Sequence, residues 1–125
     1  MNSQAVLVLG NHANRDLVQT LSRGGFSPQV WGSMRHTLEK LVHNKYVAVI
    51  IDRKFTNADV LEFILNVRDI NQEIPVVVIG SGSDERIDRK ISKLDHTIML
   101  NGSEKYDTLG EELMHALKGS ENQNV

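Results

Sequence analysis

The sequence contains no cysteine, which excludes disulfide bonds, thiolate metal sites and thiol-based catalysis. It also lacks an excess of charge of one sign. Its 14 lysine and arginine residues are balanced by 16 aspartate and glutamate residues, which gives a net charge of −2 with the two signs interspersed. We therefore expect no broad electrostatic surface for direct binding of nucleic acid or an anionic membrane.

Long apolar runs are missing as well. The amino-terminal segment MNSQAVLVLG has no basic region, and its apolar run is too short for a signal peptide or a membrane span. The absence of cysteine fits a reducing compartment, so the sequence favours a cytoplasmic protein.

The length of 125 residues is close to the most common domain size and predicts one domain with one core. We expect this domain to span residues 1–119. Its last helix would be capped by Ser103 or Asp107 and closed by Gly119, and a flexible tail would follow at 120–125.

The clearest strand lies in the stretch YVAVIIDRKF, residues 46–55. Five consecutive apolar residues at 47–51, most of them β-branched, predict a strand buried on both faces. The run stops at Asp52, which Arg53 and Lys54 follow. A carboxylate and two cations therefore come together where a buried strand reaches solvent.

Strand-like segments alternate with helical patterns along the chain. The other strands are predicted at 5–9, 26–31, 76–79 and 97–100, and helices at about 13–23, 34–44, from 56 or 57 onward, 84–94 and from 103 or 107 to 119. Pro28 indicates that the second strand is an edge strand, because proline cannot donate to a strand ladder. This alternation predicts an α/β fold, with a doubly wound parallel sheet of order 2-1-3-4-5 and five flanking helices, as in flavodoxin-like domains.

The third helix offers two possible caps, Thr56 and Asn57. Its predicted apolar face includes Leu61 and Leu65, with Phe63 to one side.

In this strand order, ligands are expected at the carboxyl ends of strands one and three. The residues placed there are Gly10, Asn11, His12, Asp52, Arg53 and Lys54, flanked by Gly80, Ser81 and Asn101. Asp52 is the strongest candidate, because a carboxylate at the end of a buried strand can attack a phosphoryl donor or bind magnesium. An Asx turn or an ion pair with Arg53 is an equally open interpretation.

Other candidate sites are weaker. His12 has no second histidine at a ligand spacing, so we interpret it as an ordinary loop residue. The segment Gly80-Ser81-Gly82-Ser83 could surround an anion with backbone amides, but it lacks the lysine of a P-loop, and a mobile connection is the simpler interpretation.

The order of elements, the length and the segments VAVIID, IPVVVIG and TIML resemble the receiver domain of bacterial two-component response regulators, over about residues 4–118. The resemblance implies a non-enzymatic signal transduction module of a phosphorelay. It also implies that Asp52 is the residue phosphorylated by a histidine kinase.

The sequence departs from the receiver pattern around Asp52. The resemblance implies an acidic, magnesium-binding pair after strand one, where this chain has Gly10 and Asn11. The expected lysine after strand five is replaced by Asn101. These losses leave Asn11 and Asp52 as a weak magnesium site at most, with no other cofactor expected.

The resemblance also implies a phosphoryl pocket, here formed by Gly80, Ser81, Asn101 and Lys54. Gly80 stands where receivers carry serine or threonine, and Ser81 comes one residue late. Because phosphoryl transfer depends on metal and lysine charge, we expect a degenerate receiver that acts through protein contacts with little or no phosphorylation.

Two alternatives stay open: a response regulator phosphorylated on Asp52, and a small flavodoxin-like ligand-binding domain. The expected partners are a histidine kinase or an effector domain. Receivers often pair through helix four, strand five and helix five, so the resemblance implies an interface or homodimer over about residues 84–118. The interface candidates are Ile87, Ile91, Ile98 and Leu109.

Overall fold

The structure is a computed structural model that describes residues 4–102 and 106–122, with side chains left out at 106–108 and 119–122. Its strands are β1 (Gln4–Leu9), β2 (Phe26–Trp31), β3 (Ala48–Asp52), β4 (Val76–Ile79) and β5 (Thr97–Leu100). Its α-helices are α1 (Arg15–Arg23), α2 (Met34–His43), α3 (Val60–Ile70), α4 (Glu85–Ser92) and α5 (Tyr106–Asn122), and a short 3-10 turn, Arg53–Phe55, follows β3. None of the described helices is long and apolar enough to cross a bilayer.

The five strands form one parallel sheet of order β2-β1-β3-β4-β5, which confirms the predicted topology. β2, which contains Pro28, lies at an edge as expected. The register aligns Leu9 with Ile51 and Asp52 with Ile79, so the carboxyl ends of β1, β3 and β4 meet at one edge of the sheet.

Each face of the sheet carries its own apolar core because successive strand side chains point to opposite faces. One core joins Val8 and Ile50 to α1 and α5, with Leu113 as a fully buried helix residue. The other joins Leu9 to α2, α3 and α4, with Phe63 as its largest fully buried side chain. The site is therefore supported by a sheet that is packed on both sides.

Side-chain caps fix where the helices begin. The cap residues of the first four helices are Asn14, Ser33, Asp59 and Asp84. The predicted cap of α3 at Thr56 or Asn57 is wrong, because Asp59 Oδ1 accepts the Glu62 amide at 3.1 Å. Thr56 instead accepts the Ala58 amide through Oγ1, at 3.2 Å, in the turn that precedes the helix.

The buried face of α3 also differs from the prediction. Phe63 is fully buried, whereas Leu65 is 50% exposed. The core residues of this helix are Val60, Phe63, Ile64 and Val67. Leu61 and Leu65 extend the apolar pattern around the helix, which is why the sequence did not distinguish the two faces.

The last helix continues past its predicted end. α5 runs through Gly119 to Asn122, so at least residues 120–122 belong to the helix and not to a tail. A glycine inside a helix costs only about 1 kcal/mol relative to alanine, and it ends a helix only where other signals agree. Asp107 lies inside the first turn rather than at the cap, while Ser103 and residues 123–125 lie outside the described residues.

Candidate functional site

A crevice of about 520 Å³ opens at the carboxyl ends of the central strands. Its lining consists of Asn14, Asp16, Asp52, Arg53, Lys54, Phe55, Ile79, Gly80, Ser81, Gly102 and Leu109. The structure thus brings together five residues predicted for this site, Asp52, Arg53, Lys54, Gly80 and Ser81. Asn11 and Asn101, also predicted for it, are exposed and are not part of the lining.

Asp52 lies at the bottom of the crevice as the last residue of β3, and it is only 3% exposed. The amide Nδ2 of Asn14 donates a hydrogen bond of 2.6 Å to Asp52 Oδ2. Asn14 is itself buried, and its Oδ1 accepts the Leu17 amide at 3.3 Å as the cap of α1. One side chain therefore both begins the helix and holds the carboxylate.

The environment of Asp52 disfavours its charged form. Burial raises the pKa of this carboxyl, because removing a charge from water is costly. The hydrogen bond from Asn14 and the positive charge of Lys54 act in the opposite direction but do not cancel the effect of burial. Asp52 therefore binds a proton more readily than an aspartate in water does.

Asn14 was not predicted as a site residue. The sequence placed Asn11 in this role, but Asn11 is exposed and its Oδ1 accepts the Ala13 amide at 2.8 Å in a local turn. The available signal was that asparagine is a preferred cap residue, three positions before the apolar Leu17. Because the predicted helix began at Ala13, Asn14 was assigned to the helix itself and was not predicted as its cap.

Gly10 approaches the carboxylate closely from the end of β1. A Cβ atom built on Gly10 would lie 3.0 Å from Asp52 Cβ and 3.6 Å from its Oδ2. Real Cβ atoms are seldom this close to a neighbour, so a side chain at position 10 would require Asp52 to give way by a few tenths of an ångström.

Arg53 turns away from Asp52 and pairs with α4. Its Nη1 lies 2.9 Å from Asp88 Oδ1, and both side chains are largely buried. Asp88 Oδ2 also accepts the Gly82 amide at 2.9 Å. This arrangement answers the open question of an Asp52–Arg53 pair: the ion pair that Arg53 makes is with Asp88.

The loop between β4 and α4 packs directly on the Arg53 side chain. Gly80 has φ +102°, a conformation that side chains other than glycine rarely adopt, and a Cβ there would lie 3.3 Å from Arg53 Cβ. A Cβ on Gly82 would collide with Arg53 Nη2. The two glycines therefore permit the close approach of this loop to Arg53.

Charge in the crevice is sparse. In the lining, Asp52 is joined by the exposed Asp16 and Lys54 and by Arg53, whose charge is paired with Asp88. Over residues 4–102 and the described part of α5, no group of three or more histidine, aspartate or glutamate side chains is arranged to hold a metal ion. Asp52 and Asp16 are the lining carboxylates from which a cation site could be built.

Comparisons with known proteins give a result for structure but not for sequence. No protein-family model matches the chain, and no curated protein matches it. Solved structures do match over nearly its whole length. The signal receiver domain of an HD domain-containing protein from Pseudomonas fluorescens Pf-5 has a TM-score of 0.79 at 13% identity, covering 99% of this chain and 93% of that one.

Two further structures agree. A response regulator receiver protein from Sinorhizobium medicae WSM419 gives a TM-score of 0.76 at 19% identity, covering 97% of this chain and 96% of that one. A CheY-like receiver domain protein from Methanospirillum hungatei JF-1 gives 0.76 at 14% identity, covering 98% and 99%. The chain has the receiver fold.

The receiver fold leaves only part of the predicted interface exposed. Ile87 on α4 is 38% exposed and Ile98 on β5 is half-buried. Ile91 and Leu109, in contrast, are buried within the chain's own two cores, so their selection as interface residues is corrected. α4 needs Ile91 as an anchor, because it is the buried residue of that short helix.

Proposed function

We propose that this chain is a signalling module of the two-component type that transmits its signal through protein contacts, with Asp52 acting as a poor phosphoryl acceptor or none. The proposal also holds that the chain has no catalytic activity of its own and binds magnesium weakly at most. The hydrogen bond from Asn14 to Asp52 carries the argument. It places a neutral amide against the carboxylate where phosphoryl transfer requires positive charge.

The chemistry of transfer supports this proposal. A phosphoryl group brings negative charge that metal ions and cationic side chains must offset. Here the residues in contact with Asp52 include Gly10 and Asn14, both neutral, and the charge of Arg53 is directed at Asp88, so the exposed Lys54 is the cation left to act on Asp52. Each ~1.4 kcal/mol of lost transition-state stabilisation slows transfer about tenfold, so these replacements together predict a slow reaction.

Ionisation of the nucleophile adds a second obstacle. An aspartate attacks phosphorus as its carboxylate anion, and burial raises the pKa of Asp52. A phosphorylated side chain carries ~1.5 to 2 negative charges at neutral pH, more than the buried carboxylate that it replaces. The buried position that disfavours one charge disfavours two more strongly.

The surface around α4 and β5 supports a role in reversible contacts. Ile87 is an exposed apolar side chain on α4, with the exposed Arg86, Arg89 and Lys90 on the same helix, and Ile98 is half-buried on the neighbouring strand β5. An apolar centre with a polar rim is typical of interfaces that form and separate. An effector or kinase is the proposed partner; one structural neighbour is the receiver domain of an HD domain-containing protein.

An amide NMR titration with magnesium, followed by magnesium plus beryllofluoride, tests the proposal. We expect no saturable shifts at Asp52, Asn14 or Ser81 at millimolar magnesium, with the fold intact. An Asp52→Asn sample is the control, because shifts that survive in it do not arise from the carboxylate. Saturable shifts in the unmodified protein that Asp52→Asn abolishes would overturn the proposal in favour of a phosphorylated regulator.

A gain-of-function variant tests the geometry behind it. Asn14→Asp keeps a good helix cap and places a second carboxylate against Asp52, so we expect magnesium affinity to rise at least tenfold. Asn11→Asp adds the same charge at an exposed position and should change the affinity much less. If Asn11→Asp gave the larger gain, the assignment of Asn14 as the residue facing Asp52 would be wrong.

A further inference from the structure

The outer surface of α2 carries an apolar stripe made of Met34, Leu38 and Val42, which we call the α2 stripe. These residues are spaced by four, so they lie in one row along the helix. The buried residues of the same helix are Thr37 and Leu41, which point into the core beside this row. Val42 is 58% exposed, and Met34 and Leu38 are half-buried.

The stripe lines a shallow groove of about 540 Å³, with Arg35 and Glu39 along its rim. Arg35 Nε and Glu39 Oε1 lie 3.5 Å apart, so the two charged ends lie beside each other. The opposite flank of α2 is covered by the chain's own side chains, since Lys40 Nζ lies 4.8 Å from the centre of the Trp31 ring. The apolar surface of α2 is thus confined to one flank.

The two rim residues, Arg35 and Glu39, carry opposite charges, so the rim of one copy matches the rim of a second copy that runs in the opposite direction. We propose that the α2 stripe binds the same stripe of a second copy of the chain, with the two α2 helices antiparallel about a two-fold axis. Such an axis is perpendicular to both helix axes, so the two helices run in opposite directions. It places the two rims on the same side, with Arg35 of each copy against Glu39 of the other.

A parallel pair does not use this charge pattern. A two-fold axis along the helices would put the two rims on opposite sides of the interface, where Arg35 and Glu39 of different copies do not meet. The antiparallel arrangement also sets Leu38 near its own symmetry mate and Met34 toward Val42 of the other copy. Apolar contact at the centre and opposite charges at the rim then support the same geometry.

The small size of the stripe sets the strength of the pair. Stable interfaces bury roughly 800 Å² on each partner, and three side chains on one helix bury much less. We therefore expect self-association with a Kd on the order of 100 µM or weaker, which places the dimer in the class of transient contacts.

Sedimentation equilibrium from micromolar to millimolar protein tests the proposal. Val42→Asp should weaken self-association at least tenfold, because it puts a charge into the apolar stripe of both copies. Leu65→Asp is the matched control: Leu65 is 50% exposed on α3, and its replacement should leave the association unchanged. Unfolding curves of both variants should confirm that each one folds.

Charge reversal tests the orientation. Arg35→Glu and Glu39→Arg should each weaken self-association several-fold, because like charges then meet at the rim. An equimolar mixture of the two variants should form heterodimers at least as tightly as the unmodified chain forms homodimers, and the double variant should recover association. These results would support the antiparallel pair, because a parallel pair predicts no recovery on mixing.

Three results would overturn the proposal. The first is a monomer at every concentration. The second is an association that Val42→Asp leaves intact but Ile87→Asp removes, which would place the dimer on the α4 and β5 surface instead. The third is failure of the charge-reversed mixture to recover association.

Discussion

Arg53 and Arg68 hold opposite ends of the same sheet, and they use different kinds of partner. Among the described residues, the partners of Arg68, at the amino ends of β4 and β5, are backbone carbonyl oxygens. These belong to Asn71 at 3.3 Å, Ile74 at 2.7 Å, Asp95 at 2.9 Å and His96 at 3.0 Å. Arg53, at the carboxyl ends, pairs with the side-chain carboxylate of Asp88 and has one long contact, 3.5 Å, with the Gly80 carbonyl.

This difference separates a fixed end from an adjustable one. Backbone carbonyl oxygens keep their positions as long as the fold persists, so the contacts of Arg68 are part of the fold itself. Burial lowers the pKa of Arg68, and nearby Asp95 opposes this effect. Asp88, in contrast, lies on the eight-residue helix α4, and a single side-chain rotation can release Arg53 from it. The carboxyl end can therefore rearrange without unfolding the sheet.

The largest expected effect is at the fixed end. Arg68→Met should lower the free energy of unfolding by about 2–3 kcal/mol, because carbonyl groups on two loops, one of them partly buried, lose the charged donor that they share. Arg68→Lys should recover little, since one ammonium group cannot reach carbonyls on two separate loops. Urea unfolding measures both changes.

Arg86→Met is the control for Arg68, because Arg86 is exposed on α4 and its substitution should change stability by less than about 0.5 kcal/mol. If Arg68→Met and Arg86→Met lowered the free energy of unfolding by the same amount, the distinction between a fixed end and an adjustable end of the sheet would be wrong.

A smaller and local effect is expected at the adjustable end. Arg53→Met or Asp88→Asn should lower stability by about 1–2 kcal/mol and speed amide hydrogen exchange mainly over residues 80–88. In a double-mutant cycle, the two changes should be strongly non-additive because they remove the same pair. Faster exchange throughout the sheet would show that this ion pair also belongs to the fixed part of the fold.

The third prediction concerns pH and gives the smallest change. The pKa of Asp52 is raised in the folded state, so the protonated side chain contributes to the stability of the fold. This contribution is fully present below the unfolded pKa of about 3.9 and is lost as pH rises through the folded pKa. Asp52→Asn should therefore be more stable than the unmodified protein at neutral pH. The gain should shrink as pH falls toward 3.9.

Urea unfolding of both proteins between pH 3 and pH 7.5 measures this difference. A stabilisation by Asp52→Asn that was independent of pH, or a loss of stability at neutral pH, would show that ionised Asp52 is well compensated in the crevice.

The sequence predicted the sheet well because its strands are continuous apolar runs with few other interpretations. Val76 to Ile79 is buried at every position, as expected. The buried face of α3 was harder to predict, because Leu65 and Phe63 are both apolar and only tertiary packing decides which one is covered.

The site was predicted in part for a related reason. Asp52, Gly80 and Ser81 follow directly from strand ends, and the crevice contains all three. The position of Asn14 depends on where α1 begins, and the Arg53–Asp88 pair depends on how α4 lies relative to the turn that follows β3. Helix boundaries and contacts between distant segments are the properties that local patterns specify least.

The close approach of Gly10 to Asp52 limits how this protein can change over evolutionary time. An acidic residue at position 10 would be the most direct way to add metal-binding charge to the crevice. With Cβ atoms 3.0 Å apart, such a mutation is accommodated only if Asp52 gives way by a few tenths of an ångström, and the burial of Asp52 opposes this movement. A descendant of this protein that binds metal tightly would therefore more readily arise through position 14, where one base change in an asparagine codon gives aspartate and the cap is preserved.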